Sequence, residues 1–172
     1  TRQTGDGMTL KYSYDYKHRV KSVQVNGTDY VTMTYTDNAV ENGNKVDKVT
    51  LTYAARSAGV QDAFTQVSDK FGNVLRTEYN GNALTSATYE KDGRILTFAD
   101  NVTSETEEYV YDSLKNPISY TRKKNAVTIY AEEYDYNEFG DLKEVTKTVG
   151  DAECKYVYTY ADTVARELEN IS

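Results

Sequence analysis

A short aromatic pattern recurs along this chain and constrains its fold more than any other feature. Two tyrosines separated by one residue are followed by Asp or Asn, two variable residues and Gly. The clearest copies begin at Tyr12, Tyr109 and Tyr134, weaker copies cover 68–74 and 89–95, and a diverged last copy covers 156–160. Taking 69, 90, 112, 137 and 159 as equivalent positions gives spacings of 21, 22, 25 and 22 residues. Such regular spacing is typical of a repeat architecture.

Each copy predicts a β-hairpin. Side chains alternate between the two faces of a strand, so Tyr-x-Tyr places both rings on one face. The Asx side chain that follows bonds back to nearby amides, and Gly adopts positive φ easily, which together indicate a turn. Between the copies, the pairs Asn26-Gly27, Asn42-Gly43 and Asn80-Gly81 are typical of further hairpin turns.

The predicted fold class is therefore all-β. Short links favour an antiparallel up-and-down meander of about a dozen strands, and so long a sheet is expected to be strongly curved or to form a barrel or half-barrel. The 17 tyrosines and single proline agree with this. We expect one β-repeat domain over 1–172, with hairpin repeats over about 8–160, a flexible N-terminus over 1–7 and a terminal segment over 161–172 that has modest helical character from Asp162 to Glu169.

Charge and hydropathy argue against two classes of partner. The net charge is −7, whereas nucleic-acid binding needs a basic stripe that releases counterions from phosphates. No run of about 20 apolar residues is present, so no membrane-spanning helix is expected.

Residues that suggest catalysis or metal binding have simpler interpretations. His18, the only histidine, occupies a turn position of the first copy. The acidic residues around Gly140 resemble a calcium loop, but Phe139 stands where an oxygen ligand is needed. Cys154 alternates within a strand, and the glutamates near 105–108 and 132–133 are expected to be edge charges. We therefore predict no enzyme activity, no metal site and no cofactor.

The tyrosines are the best candidates for a ligand-binding surface. An aromatic ladder on a concave sheet can stack against sugar rings or peptides. The alternative is that tyrosine is simply the packing residue of this repeat. The predicted ligand-facing residues are Tyr109, Tyr111, Tyr134, Tyr136, Tyr156 and Tyr158.

The motif resembles the YD-repeat, also called the RHS-repeat, over most of residues 8–160. It is also similar to secreted Bacteroidetes lipoproteins of unknown function that have a porin-like β fold. His18 and Lys115 replace the turn glycine of the pattern, and Ser68 replaces its second tyrosine. The resemblance implies a β architecture and an extracellular or periplasmic location, with a lipid anchor at the cell surface as one option. It supplies no catalytic residue.

Two functions follow from these observations. The first is a non-catalytic, secreted or surface-anchored β-repeat protein with a scaffold or interaction role. The second is a carbohydrate- or peptide-binding module that uses exposed tyrosines on a concave sheet face. The partner would then be a glycan or a protein at the cell surface.

Overall fold

A computed structural model describes residues 2–3, 7–55, 59, 61–161 and 166–172. Fifteen strands lie within these residues. Their bounds are β1 Arg2–Gln3, β2 Thr9–Tyr14, β3 Val20–Val25, β4 Thr28–Glu41, β5 Asn44–Tyr53, β6 Ala63–Asp69, β7 Val74–Tyr79, β8 Asn82–Tyr89, β9 Ile95–Asp100, β10 Glu105–Tyr111, β11 Pro117–Lys124, β12 Val127–Tyr136, β13 Leu142–Val149, β14 Ala152–Tyr160 and β15 Leu168–Ile171.

The strand order confirms the predicted all-β antiparallel meander. Each strand is hydrogen-bonded to the strands before and after it in the sequence, and β1 and β15 are the two ends of this order. Among the described strands, the order does not return from β15 to β1. The chain divides into two compact units, residues 1–86 and 87–172. They are called unit 1 and unit 2, and the single domain with its boundaries stays a prediction.

Five turns share one hydrogen-bonded geometry, which explains the repeat pattern. They span 15–19, 69–73, 90–94, 112–116 and 137–141. In each, the first N–H donates to the fifth carbonyl at 2.8–2.9 Å, and the fourth N–H donates to the first carbonyl at 3.0–3.1 Å. The fourth residue has positive φ in all five turns. Two of these residues are His18 and Lys115, so loss of the glycine does not change the turn.

The Asx side chain completes the turn. The Oδ1 atom of Asp69 accepts the amides of Phe71 and Asn73, and its Oδ2 atom accepts Nδ2 of Asn73 at 2.8 Å. In the turn 137–141 the two residue types are reversed. The amide residue Asn137 is first and the carboxylate residue Asp141 is fifth, and Nδ2 of Asn137 donates to Asp141 at 3.1 Å. The first and fifth positions thus form a matched pair.

A few valines form the buried apolar core. Among the described residues the buried apolar side chains are Val31, Val46, Val67 and Val145, and of these only Val67 is fully buried. The strand register places Val67 between Lys48 and Arg76. Both cations bind Glu41, and Arg76 contacts both of its carboxylate oxygens. Arg76 and then Lys48 lower the pKa of Glu41 to about 2. An ion-pair network therefore covers the most buried residue of unit 1.

The C-terminal part of the chain corrects two expectations. Residues 162–165 lie outside the described residues, but Leu168–Ile171 form a strand, so the helical prediction is wrong over Leu168–Glu169. The last copy of the repeat is also displaced by two residues. The amide of Ala161, not that of residue 159, donates to the carbonyl of Glu167 at 2.8 Å.

Candidate functional site

In the copies that begin at Tyr109 and Tyr134, the second tyrosine is anchored by its hydroxyl group. Tyr111 donates to the carbonyl of Ile95 at 3.0 Å, and Tyr136 donates to the carbonyl of Pro117 at 2.8 Å. Each acceptor is the first residue after the preceding turn. Because these phenols bond to backbone of the neighbouring hairpin, their polar ends are already used within the fold.

Tyr109, the first tyrosine of its copy, forms an aromatic row in unit 2 with tyrosines of the next two strands. Tyr109 of β10 lies opposite Tyr120 of β11, with ring centroids 4.9 Å apart. Tyr120 also contacts Tyr130 of β12, at 6.0 Å and with an edge-to-face geometry. Such contacts contribute about 0.5–1.5 kcal/mol beyond area burial. The row therefore rigidifies three adjacent strands.

A shallow groove of about 430 Å³ runs along this row. Three of the six predicted tyrosines meet there, together with residues that the motif does not contain. Its lining residues are Tyr109, Tyr111, Pro117, Tyr120, Glu132 and Tyr134. The four tyrosines are half-buried, so part of each ring stays open to solvent.

Two carboxylates fix the phenols of the groove. Tyr109 donates its hydroxyl to Glu107 at 2.7 Å, and Tyr134 donates to Glu132. Burial, and then the hydrogen bond to the carboxylate, raise the pKa of both Tyr109 and Tyr134. These phenols remain protonated donors near neutral pH.

Glu132 is the most connected polar group of this face. It accepts from Tyr130 and Tyr134 and forms an ion pair with Lys147 at 3.0 Å. Burial favours its neutral form, but the hydrogen bonds from Tyr130, Tyr134 and Lys147 outweigh burial and lower the pKa of Glu132. The groove thus holds a carboxylate surrounded by donors.

The remaining predicted tyrosines lie outside the groove. Tyr134 pairs with the buried Val145 of β13, and Val145 pairs with Tyr156 of β14. Tyr156 is 38% exposed, and the Lys147 ammonium lies 5.8 Å from its ring centroid. Tyr158 pairs with Ile171 of β15. The ligand-facing role of all six tyrosines stays a prediction.

Sequence reasoning missed Tyr120, Tyr130 and Glu132. Tyr120 and Tyr130 stand outside the Tyr-x-Tyr pairs, and Glu132 was interpreted as an edge charge. Tyr120 could have been found by pairing the residues on the two sides of the turn 112–116, because Tyr109 and Tyr120 lie directly opposite each other in that hairpin.

The other residues considered for chemistry are dispersed. His18 lies at positive φ in an exposed turn, and Cys154 is exposed. Asp135 bonds to Lys143 at 2.9 Å, while Asn137 and Asp141 complete their turn. Within the described ranges, no group of three His, Cys, Asp or Glu residues is arranged to hold a metal ion. The same ranges contain no helix with the length and hydrophobicity needed to cross a bilayer.

Comparison with known proteins gives no family. No protein-family model matches the chain, and no curated protein matches its sequence. Among solved structures, that of TcdB2-TccC3 is similar over 89% of this chain, with a TM-score of 0.47 and 12% identity. That of TcdB2-TccC3-Cdc42 is similar over 91%, with a TM-score of 0.44 and 15% identity. The chain spans only 12% and 9% of the length of those chains.

Proposed function

We propose that this chain is a non-catalytic β-repeat protein with a scaffold or interaction role. The supporting observation is that its recurring polar groups bond to the fold itself. Turn carboxylates accept backbone amides, and the second tyrosines donate to carbonyls of the preceding hairpin. Groups that are committed in this way hold strands in register and are not available for acid–base chemistry.

Secretion is part of this proposal. The motif's resemblance to YD-repeat proteins and to secreted Bacteroidetes lipoproteins supports an extracellular or periplasmic scaffold, with or without a lipid anchor. Fractionation of the source cells tests it directly. Recovery of the protein from the cytoplasm alone would contradict this part of the proposal.

The tyrosine groove favours a second candidate function, the binding of a carbohydrate or a peptide. Tyr109, Tyr120 and Tyr134 offer partly open ring faces, and Glu132 offers an acceptor beside them. This combination of ring faces and few polar groups is what sugar rings and peptide side chains use.

Glycan and peptide arrays distinguish the two candidates. A ligand of the groove should bind the wild type and lose affinity in a Tyr120→Ala variant, because that ring is central to the row. Tyr16→Ala is a matched control, since Tyr16 is 85% exposed in unit 1. Binding that Tyr120→Ala abolishes and Tyr16→Ala retains would establish the binding module. An absence of ligands favours the scaffold role, and chemical conversion of any array compound, detected by mass spectrometry, would contradict it.

A further inference from the structure

A second groove lies in unit 1, on strands β2, β3 and β4, and its chemistry differs from that of the tyrosine groove. Its volume is about 500 Å³. Four aliphatic hydroxyl side chains contribute to its lining, those of Ser13, Ser22, Thr32 and Thr34. We call this surface the hydroxyl groove.

The hydroxyls form a continuous polar surface across the strands. Ser13 lies opposite Ser22, and their Oγ atoms are hydrogen-bonded at 2.6 Å. Ser22 lies opposite Thr32 on the next strand. Thr32 and Thr34 of β4 are both exposed. Because a hydroxyl group can both donate and accept a hydrogen bond, this surface can bond to ligand hydroxyl groups that act as donors or as acceptors.

Two lysines give the groove its charge. Lys11 and Lys21 are exposed, and neither forms an ion pair with another described residue, whereas nearby Lys17 binds Asp37 at 2.7 Å. The only carboxylate in the lining, Asp29, accepts from Gln24 at 2.9 Å. The groove is therefore locally cationic on a chain whose net charge is −7.

The positions of the lysines suit an extended ligand. Lys11 pairs with Gln24, and Lys21 stands three residues before Gln24 on the same strand. At about 3.3 Å per residue, the two backbone positions are roughly 10 Å apart. Tyr14, which is 58% exposed, adds a ring face to the lining.

We propose that the hydroxyl groove binds an acidic oligosaccharide that carries carboxylate groups. Sugar hydroxyls would bond to Ser13, Ser22, Thr32 and Thr34, a sugar ring would stack on Tyr14, and carboxylates on separate sugar residues would pair with the lysines. Charge complementarity selects an anionic ligand, and the row of hydroxyls selects a polyhydroxylated one. This site is independent of the tyrosine groove and of the functions proposed above.

Calorimetric titration with a galacturonic acid oligomer tests the proposal. The wild type should bind it at low salt, and should bind a neutral glucose oligomer of equal length at least tenfold more weakly. Lys11→Gln and Lys21→Gln should each weaken binding about fivefold, or about 1 kcal/mol. Lys11→Arg and Lys21→Arg should retain most of the affinity. Lys143→Gln is the control, because Lys143 binds Asp135 in unit 2.

Three further outcomes decide the ligand class. Equal affinity of the Lys11→Gln/Lys21→Gln double variant and the wild type would overturn the proposal. Equal binding of the neutral oligomer would remove the role of charge, and equal binding of a short polyglutamate would remove the role of sugar hydroxyls; either result overturns it. Thermal unfolding of each variant confirms that its fold is retained.

Discussion

The hydroxyl of Tyr111 donates to the carbonyl of Ile95, 3.0 Å away and 16 residues earlier in the chain. Ile95 directly follows the turn 90–94, and Arg94, the last residue of that turn, lies over the ring of Tyr111 at 4.4 Å. Unit 1 has the same arrangement. The hydroxyl of Tyr35 donates to the carbonyl of Val20, and the Arg19 guanidinium lies 4.0 Å from the centroid of the Tyr35 ring. One tyrosine thus holds the preceding turn through both a hydrogen bond and a cation–π contact.

Tyr136 and Tyr160 extend this relationship to the rest of unit 2. Tyr136 donates to Pro117 and Tyr160 donates to Leu142, the first residues after the turns 112–116 and 137–141. These are contacts between successive hairpins, which supply what a single two-stranded hairpin lacks in water. Hairpin-to-hairpin tethering is therefore the structural role of Tyr111, Tyr136 and Tyr160.

Removing a single tether hydroxyl should destabilise the chain. Tyr136→Phe deletes the donor and leaves the Pro117 carbonyl without it, at an expected cost of about 0.5–1.5 kcal/mol in the free energy of unfolding. Tyr158→Phe is the control, because its hydroxyl has no hydrogen bond to another described residue. Urea denaturation measures both, and equal midpoints for the two variants would refute the tether.

The exchanged pair Asn137 and Asp141 predicts a non-additive pair of substitutions. Asn137→Asp places two carboxylates in contact and removes the 3.1 Å hydrogen bond, so we expect a loss of about 1–2 kcal/mol. Adding Asp141→Asn recreates the Asp-then-Asn order of the turns 69–73 and 112–116 and should recover much of that loss.

Recovery in the double variant is expected to be incomplete. Asp141 also pairs with Arg166 at 3.2 Å, and that contact is lost. A double-mutant cycle from urea denaturation should still give a coupling of at least about 1 kcal/mol between the two positions. Additive effects of the single substitutions would contradict the matched pair.

The local part of this fold could be predicted from sequence, because its determinants lie within five residues. Asn137 and Gly140 identify a turn without any tertiary information. The last copy was placed wrongly because Tyr156-x-Tyr158 and Tyr158-x-Tyr160 match the pattern equally well. The bond from the Tyr160 hydroxyl to Leu142 and the bond from the Ala161 amide to Glu167 distinguish the two registers.

Sequence reasoning also missed the copy of the repeat that contains Tyr35, because its local pattern is incomplete. Tyr35 is followed by Thr36 and by no turn glycine, since β4 and β5 continue to Glu41 and Asn44 as a longer hairpin. Asp37 instead binds Lys17 and Arg19 of the neighbouring turn. The two grooves could not be predicted from the sequence either, because each combines side chains from several strands whose register is set by tertiary contacts.

Glycine at the two departing turn positions should stabilise the protein. His18 has φ 62° and Lys115 has φ 77°, a region that costs most L-residues about 1–2 kcal/mol. Glycine removes this strain but gives the unfolded chain more freedom, so His18→Gly should gain about 0.5–1 kcal/mol. Lys115→Gly should gain less, because Lys115 also binds Asp92 at 3.0 Å.

Gly72 provides the reverse experiment. Its φ is 91°, and a Cβ atom there would meet no atom within 4 Å, so Gly72→Ala tests backbone strain alone. We expect a loss of about 1 kcal/mol by thermal or urea unfolding. If His18→Gly lowers stability while Gly72→Ala leaves it unchanged, positive φ is not what these turns select.

The groove phenols should make the fold sensitive to alkaline pH. Burial, and then the hydrogen bonds to Glu107 and Glu132, raise the pKa of Tyr109 and Tyr134 above the ordinary value of 10.0. A phenol whose pKa is higher in the folded state contributes stability that is complete below pH 10 and is lost as pH rises through the folded value. The urea midpoint should therefore be constant up to about pH 10 and fall as the pH rises further. The double variant Tyr109→Phe/Tyr134→Phe lacks these two phenols, so its midpoint should fall less steeply. Some fall should remain, because other tyrosines, including Tyr120, also have raised pKa values. An equally steep fall in the double variant would show that these two phenols ionise as freely in the folded chain as in the unfolded one.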